Sequence, residues 1–124
     1  MSSQTQKGST FEQDTADFLA AALGDDRIER RVKHGTNDRG DIAGLHIRGK
    51  RTVVECKNHK RMELAAWIDE AETERGNDDA EYAIVVHKRR GCGKARFGGN
   101  YATMTLETLA ALIAGGRDLI NGKD

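Results

Sequence analysis

The feature that most constrains the fold is a pair of short segments that both read as β-strands and both carry charged residues. Gly40-Asp41-Ile42 opens the first segment, and Val53-Val54-Glu55-Cys56-Lys57 forms the second. Successive side chains of a strand point to opposite faces, so Glu55 and Lys57 share one face and Cys56 takes the other. A carboxylate and an amine are therefore expected side by side.

A short link that contains glycine, residues 48–51, joins the two strands and predicts a hairpin. In an antiparallel hairpin, Asp41 at the start of the first strand lies near the end of the second, where Glu55 and Lys57 stand. Two acids and a lysine would then meet at one point. That is the minimum set for binding a divalent metal ion beside a phosphodiester.

The remaining pattern predicts a single α/β domain over residues 9–120, with tails at residues 1–8 and 121–124. Ser9 and Glu12 match a capping box at the start of the first helix. The expected order is α-β-β-β-α-β-β-α, with a central mixed five-stranded sheet flanked by helices. The predicted elements after the first helix are an edge strand over 28–34, the hairpin, a helix that ends at Gly76-Asn77, a buried strand over 82–86, a basic loop over 87–100, a weak strand over 101–105 and a helix that ends at Gly115-Gly116.

Charge is segregated along the chain, although twenty basic and twenty acidic residues cancel in total. Residues 27–61 hold eleven Lys or Arg against four acids, whereas residues 62–81 hold eight acids against one Arg. We therefore expect one basic surface, which contains the carboxylates, and one acidic surface. The outer face of the second helix is predicted to carry Asp69, Glu70, Glu72 and Glu74.

Several classes of protein are disfavoured by composition. The two cysteines form no CxxC motif and no apolar run approaches a membrane span, which predicts a reduced, cytoplasmic compartment and no membrane partner. The four histidines lack metal-ligand spacing with the cysteines, which argues against a zinc site. We interpret Trp67 as a core or dimer contact rather than a base-stacking platform, and His87 as a surface residue.

The motifs and the order of elements resemble the PD-(D/E)xK nuclease superfamily, which has the restriction-endonuclease-like fold. Within it, the chain is most similar to the small Holliday-junction resolvases of archaea and phages. The resemblance covers nearly the whole chain, and Gly40 stands where the superfamily name has proline. It is carried by Lys7-Gly8-Ser9-x-Phe11-Glu12, Gly40-Asp41-Ile42, Val54-Glu55-Cys56-Lys57-Asn58 and Val85-Val86-His87-Lys88-Arg89.

The resemblance implies a role for each matching residue. Asp41, Glu55 and the backbone carbonyl of Cys56 would bind Mg²⁺, for which Mn²⁺ would substitute, and no small-molecule cofactor is expected. Lys57 would orient or help deprotonate the attacking water. Glu12 would complete the site from the first helix.

Plainer readings of the same residues stay open. Glu55 and Lys57 could be an ordinary cross-strand charge set, and Glu12 could be only a helix cap. Basic residues bracket the carboxylates and are the expected DNA contacts. They are Arg30, Arg31, Lys33, Arg39, Lys88, Arg89 and Arg90.

The functional hypothesis is a metal-dependent, structure-selective DNA endonuclease of DNA recombination and repair. It would resolve four-way (Holliday) junctions by paired nicks, through water attack on phosphodiesters. One chain offers one site, so paired nicks imply a homodimer. The alternatives are another small phage or mobile-element nuclease of the same superfamily, and a nonenzymatic DNA-binding module.

Overall fold

The hairpin lies within a mixed sheet in the computed structural model, which describes residues 3–31 and 40–121. The helices are α1 (Ser3–Leu23), α2 (Leu64–Asn77) and α3 (Leu106–Ala114). Short 3₁₀ turns cover Lys94–Gly99, which is kinked at Arg96, and Arg117–Leu119. The strands are β1 (Glu29–Arg30), β2 (Ile42–Ala43), β3 (His46–Ile47), β4 (Lys50–Lys57), β5 (Tyr82–His87) and β6 (Tyr101–Thr103).

The prediction of an α/β fold with a mixed sheet is confirmed, but the five-stranded sheet is wrong. The main sheet has four strands in the order β3-β4-β5-β6, in which only β4 and β5 are parallel, and β1 and β2 form a separate antiparallel pair. The reason is an interruption at Gly44, which separates β2 from β3. The segment still follows β4, because the Asp41 N–H donates to the Val54 carbonyl (2.8 Å) and the Thr52 N–H to the Leu45 carbonyl (3.1 Å).

The hairpin turn is tighter than the sequence predicted. Ile47 pairs with Lys50, which leaves only Arg48 and Gly49 in the turn. Both turn residues have positive φ, 52° and 79°. Positive φ at both central residues is the mark of a type I′ turn, whose twist matches that of the flanking strands. The antiparallel register that the sequence predicted for Asp41 is thereby obtained.

The two faces of β4 support two hydrophobic clusters. Val54 and Cys56 pack with Phe11 and Ile42 on the side of α1, and α2 covers the other side with a cluster of Trp67, Ala71, Ala83 and Val85. Because β5 contributes to both clusters, it is buried on both faces, as predicted. Alternation along β4 turns Glu55 toward α2.

The first helix begins earlier than predicted. It includes residues 3–8, so Ser9 lies inside the helix rather than at its N-cap, and the capping box with Glu12 is not formed. Of the strand predicted over 28–34, β1 covers Glu29–Arg30, and residues 32–39 lie outside the described part of the chain.

The later helices end where the sequence predicted. In α3, the Thr105 side chain accepts a hydrogen bond from the Thr108 N–H (3.0 Å), which caps the start of the helix. Gly115 adopts φ 100° at its end, as a left-handed C-cap requires. Across residues 3–31 and 40–121, no helix combines the length and the apolar character needed to cross a membrane.

The interruption at Gly44 generates a stability prediction. Gly44 has φ 83°, and a Cβ there would lie 2.2 Å from the Arg27 carbonyl oxygen. Gly49 has φ 79° but no atom within 4 Å of an added Cβ. We expect Gly49→Ala to cost about 1–2 kcal/mol of unfolding free energy, the price of a left-handed backbone, and Gly44→Ala to cost more than about 3 kcal/mol, because backbone must move. Urea unfolding of both proteins measures the difference, and equal costs would contradict this account of the interruption.

Candidate active site

Asp41 and Glu55 meet at the junction between the hairpin and β4. Both side chains are buried, with 4% and 2% of their residue surface exposed. The Asp41 Oδ2 accepts a hydrogen bond from the Cys56 backbone N–H at 2.7 Å. This bond fixes the Asp41 carboxylate against the strand that carries Glu55, so the predicted convergence of the two acids is present in the structure.

The surroundings of Glu55 disfavour a negative charge on its carboxyl group. Burial, followed by hydrogen-bonding contact with the side chains of Asp41 and Glu70, raises the pKa of Glu55 to about 12. A carboxylate accepts hydrogen bonds but cannot donate them, so two such acids share a bond only when one holds a proton. Without a cation between them, Glu55 is therefore the acid that stays protonated.

The second helix contributes two acids that the sequence analysis placed on its outer face. Glu70 and Glu74 turn toward Glu55, and one oxygen from each of the three carboxyl groups lies within 4.8 Å of the others. Glu74 is only 1% exposed. The signal was present in the sequence, because Trp67, Ala71 and Glu74 are spaced i, i+4 and i+7 and form the buried stripe of α2.

Lys57 forms an ion pair with Glu70 and lies close to Glu55. Its Nζ lies 2.7 Å from the Glu70 Oε1 and 3.7 Å from the Glu55 Oε2. Burial lowers the pKa of Lys57, but the hydrogen bond to Glu70 and the charges of Glu55, Glu70 and Asp41 outweigh it, so the pKa lies above its ordinary value. Lys57 is therefore an ammonium group that provides positive charge and hydrogen-bond donors.

Glu12 lies on the Cys56 side of β4, and its charge is among the causes that raise the pKa of the Cys56 thiol. Its carboxylate accepts a hydrogen bond from the Arg30 Nε at 3.1 Å. It is carried by α1, which packs on the Cys56 side of β4, whereas Glu55 faces α2. The groups that act most strongly on Glu55 are Asp41, Glu70 and Glu74.

The Cys56 side chain is buried and free of disulfide bonds. Burial, together with the charge of Asp41, raises the pKa of its thiol. The thiol therefore stays protonated at neutral pH. This fits the expectation that only the backbone of Cys56 serves the site.

The basic residues predicted to contact DNA separate into two groups. Arg30 pairs with Glu12, and Arg31 lies 3.8 Å from Asp78, which also faces Arg51 at the start of β4. The side chains of Arg30 and Arg31 are thus engaged by acids, although the Arg31 N–H donates to the Asp41 carbonyl at 2.8 Å and its backbone lies beside the site. Lys33 and Arg39 lie outside the described residues.

The other group, Lys88, Arg89 and Arg90, lines a groove of about 570 Å³. The groove lies beyond the ends of β4 and β5, and Asn58 in its wall directly follows Lys57. The ends of parallel strands are a common position for ligand sites in α/β folds. These three cations are therefore near the carboxylates and face an open space.

His87 is buried rather than exposed, which corrects its interpretation as a surface residue. It retains 5% of its surface, its Nε2 lies 2.8 Å from the Thr103 Oγ1, and its ring packs against Trp67 and Tyr101. Burial lowers its pKa, which favours the neutral ring. Trp67 is 6% exposed, so its assignment to the core is confirmed.

The donor set suits a hard divalent cation. Mg²⁺ prefers carboxylate and carbonyl oxygens, and one or two protein carboxylates suffice when water and phosphate supply the rest. Asp41 and Glu55 provide these oxygens, and Glu55 requires either a proton or a cation because of its acidic neighbours. Among the described residues, the acids whose oxygens lie within 4.8 Å of one another are Glu55, Glu70 and Glu74. Carboxylate oxygens suit Mg²⁺ chemically, and the assignment of Asp41 and Glu55 as its ligands stays a prediction.

Comparison with known proteins gives no match for this chain among family models, curated proteins or solved structures. The resemblance to nucleases stays a prediction. The geometry of Asp41, Glu55 and Lys57 is therefore the basis for assigning a function to this chain.

The pKa of Glu55 generates a prediction about stability and pH. Its value in the folded protein exceeds its ordinary value of 4.5. Above pH 4.5 the unfolded chain therefore loses this proton while the folded chain retains it, and stability falls as pH rises. We expect Glu55→Gln, in EDTA, to reduce this fall, because an amide donates a hydrogen bond at every pH. Thermal melts between about pH 5 and 9 measure how the melting temperature of each protein changes with pH.

The matched control for this experiment is Asp69→Asn, an exposed acid on α2, the helix that covers Glu55. It should keep the wild-type slope of melting temperature against pH. If Glu55→Gln and Asp69→Asn give the same slope as the wild type, Glu55 is not held protonated by its neighbours.

Proposed function

We propose that this protein is a metal-dependent DNA endonuclease that acts on branched DNA, most specifically on four-way junctions. The observation that carries the proposal is the pairing of two buried carboxylates, Asp41 and Glu55, with the ammonium of Lys57 3.7 Å from the Glu55 Oε2. A buried acid whose pKa is strongly perturbed, as that of Glu55 is, is a frequent mark of a functional site.

Each residue has a part in the proposed hydrolysis. Water attacks the phosphorus and one P–O bond of the backbone breaks, which yields a phosphate monoester and a free hydroxyl. Asp41, Glu55 and the Cys56 carbonyl would hold Mg²⁺ or Mn²⁺, which when bound supplies positive charge beside the phosphate and a more acidic water. Lys57 stabilises the charge that develops on the phosphoryl oxygens and orients the water.

Hydrogen bonds to neighbouring groups position these side chains before substrate arrives. The Cys56 N–H fixes the Asp41 carboxylate at 2.7 Å, and Glu70 holds the Lys57 Nζ at the same distance. Preorganised charge of this sort is effective because it requires little rearrangement during the reaction. In this proposal, Glu12 completes the site from α1, on the side of β4 where its charge acts on Cys56.

The basic groove favours DNA as the substrate. Lys88, Arg89 and Arg90 would contact backbone phosphates, which position a nucleic acid without reading its sequence. A nonenzymatic DNA-binding module would use the same cations. For such a module, buried acids beside the cations would lower the affinity for DNA, because carboxylates repel phosphate unless a cation lies between the two.

Two symmetric cuts require two copies of the chain. The exposed face of α3 is the surface through which we propose that the two copies contact each other. Leu106, Leu109 and Ile113 lie at i, i+3 and i+7 on one face of this helix. They remain 82%, 43% and 74% exposed. An apolar face that pairs with its own copy gives the two-fold symmetric contact that paired nicks require.

The activity is tested with a labelled synthetic four-way junction. We expect paired nicks in Mg²⁺ and none in EDTA. Glu55→Gln and Asp41→Asn should reduce the rate at least about a thousandfold, and Lys57→Ala at least about a hundredfold, as the loss of charge stabilisation at a reacting centre does. Flap and linear duplex substrates assayed in parallel separate a junction resolvase from another small nuclease.

The matched control is Asp69→Asn, which should cleave at the wild-type rate because Asp69 is an exposed acid of α2. Circular dichroism of each variant excludes unfolding as the cause of lost activity. A folded Glu55→Gln protein that cleaves as fast as the wild type would remove the basis of the proposal, and DNA binding without cleavage in Mg²⁺ or Mn²⁺ would favour the nonenzymatic alternative.

The dimer is tested by substitution on α3. Ile113→Glu places a charge in the apolar face and should convert a dimer into a monomer, measured by sedimentation equilibrium. Leu119→Glu is the control, because Leu119 is 60% exposed but follows the helix. A wild-type protein that is monomeric at the concentrations used for cleavage would contradict this contact.

A further inference from the structure

The basic groove contains more than phosphate-binding cations. Lys60, Lys88, Arg89 and Arg90 line it, and none of the described residues in its wall is acidic. Between the cations lie two exposed apolar groups, Tyr101 and Met62. Contacts with the phosphates of a duplex require only the cations. The exposed aromatic ring and thioether therefore indicate a ligand that also offers an apolar surface.

Tyr101 is held in a fixed position. It begins β6 and pairs with His87 in the antiparallel register, and the centroids of their rings lie 5.3 Å apart. The Arg89 guanidinium carbon lies 5.6 Å from the Tyr101 ring centroid. Tyr101 nevertheless keeps 45% of its surface exposed, and Met62 keeps 59%. The ring is therefore both rigid and accessible.

We propose that this groove binds unpaired DNA, with one base stacked on Tyr101 and the neighbouring phosphates contacted by Lys88, Arg89 and Arg90. Every base has a π-face, and stacking on an aromatic side chain combined with a basic groove is the common solution for single strands. In a duplex the faces of the bases are covered by their neighbours. Only an interrupted or unpaired strand can present a base to Tyr101.

The position of the groove connects this inference to cleavage. Asn58 in the groove wall directly follows Lys57, so a strand that occupies the groove runs next to the carboxylates. The choice of DNA as ligand rests on the proposed nuclease function. The substrate would then be DNA whose pairing is interrupted beside the cut, as at a branch point or the base of a flap.

The test measures binding without cleavage. Fluorescence anisotropy in EDTA compares a labelled thymidine oligonucleotide of about 15 nucleotides with a duplex of the same length. We expect tighter binding of the single strand. Tyr101→Val, which keeps a residue of high strand propensity, should weaken single-strand binding by about 5- to 150-fold and leave duplex binding within about twofold. Tyr101→Phe is the matched control and should bind as the wild type does.

A second measurement needs no substitution. Photocrosslinking of an iodouracil-containing oligonucleotide to the wild-type protein, followed by peptide mass spectrometry, should place the crosslink on Tyr101. Equal binding of single strand and duplex, unchanged binding by a folded Tyr101→Val protein, or crosslinks only outside the groove would overturn the inference.

The two proposals can fail separately. Single-strand binding through Tyr101 without Mg²⁺-dependent cleavage would retain the groove and reject the nuclease. Cleavage of junctions by a protein that binds single strands independently of Tyr101 would do the opposite.

Discussion

The burial of the Glu55 carboxyl between β4 and α2 is the constraint on which the site depends. A carboxyl group removed from water must find a proton, a cation or hydrogen-bond donors. Here its described neighbours are mostly acids, and the ammonium of Lys57 lies closer to Glu70 than to Glu55. A proton on Glu55 relieves the repulsion in the free protein, and in the proposed function a divalent cation would take its place.

Backbone geometry brings Asp41 into this arrangement. Gly40 has φ 94°, and a Cβ there would lie 3.2 Å from the Val54 carbonyl oxygen. Proline, which the superfamily name places at this position, has φ fixed near about −65° and could not replace it. The close approach of the two segments lets the Cys56 N–H reach the Asp41 carboxylate. Glycine at position 40 is therefore consistent with the predicted role of Asp41.

Charge in the folded protein is distributed differently from charge along the chain. Within the basic stretch, Arg30 and Arg31 are engaged by Glu12 and Asp78. Lys88, Arg89 and Arg90, by contrast, face an open groove. A chain with no net charge thus presents a basic surface beside its buried acids. The groove, rather than the longest run of basic residues, is the surface that suits a polyanion.

The sequence by itself determined the features that depend on local rules. Strand alternation placed Glu55 and Lys57 on one face, a tight turn set the register of Asp41, and glycine ended α3 at Gly115. Only the tertiary structure decided that Glu70 and Glu74 turn inward, that His87 is buried, and that the first strand of the hairpin is interrupted at Gly44. Periodicity gives the spacing of a helix face but not its rotation against the sheet. That rotation is set by contacts such as Trp67 with Val85, between residues far apart in the chain.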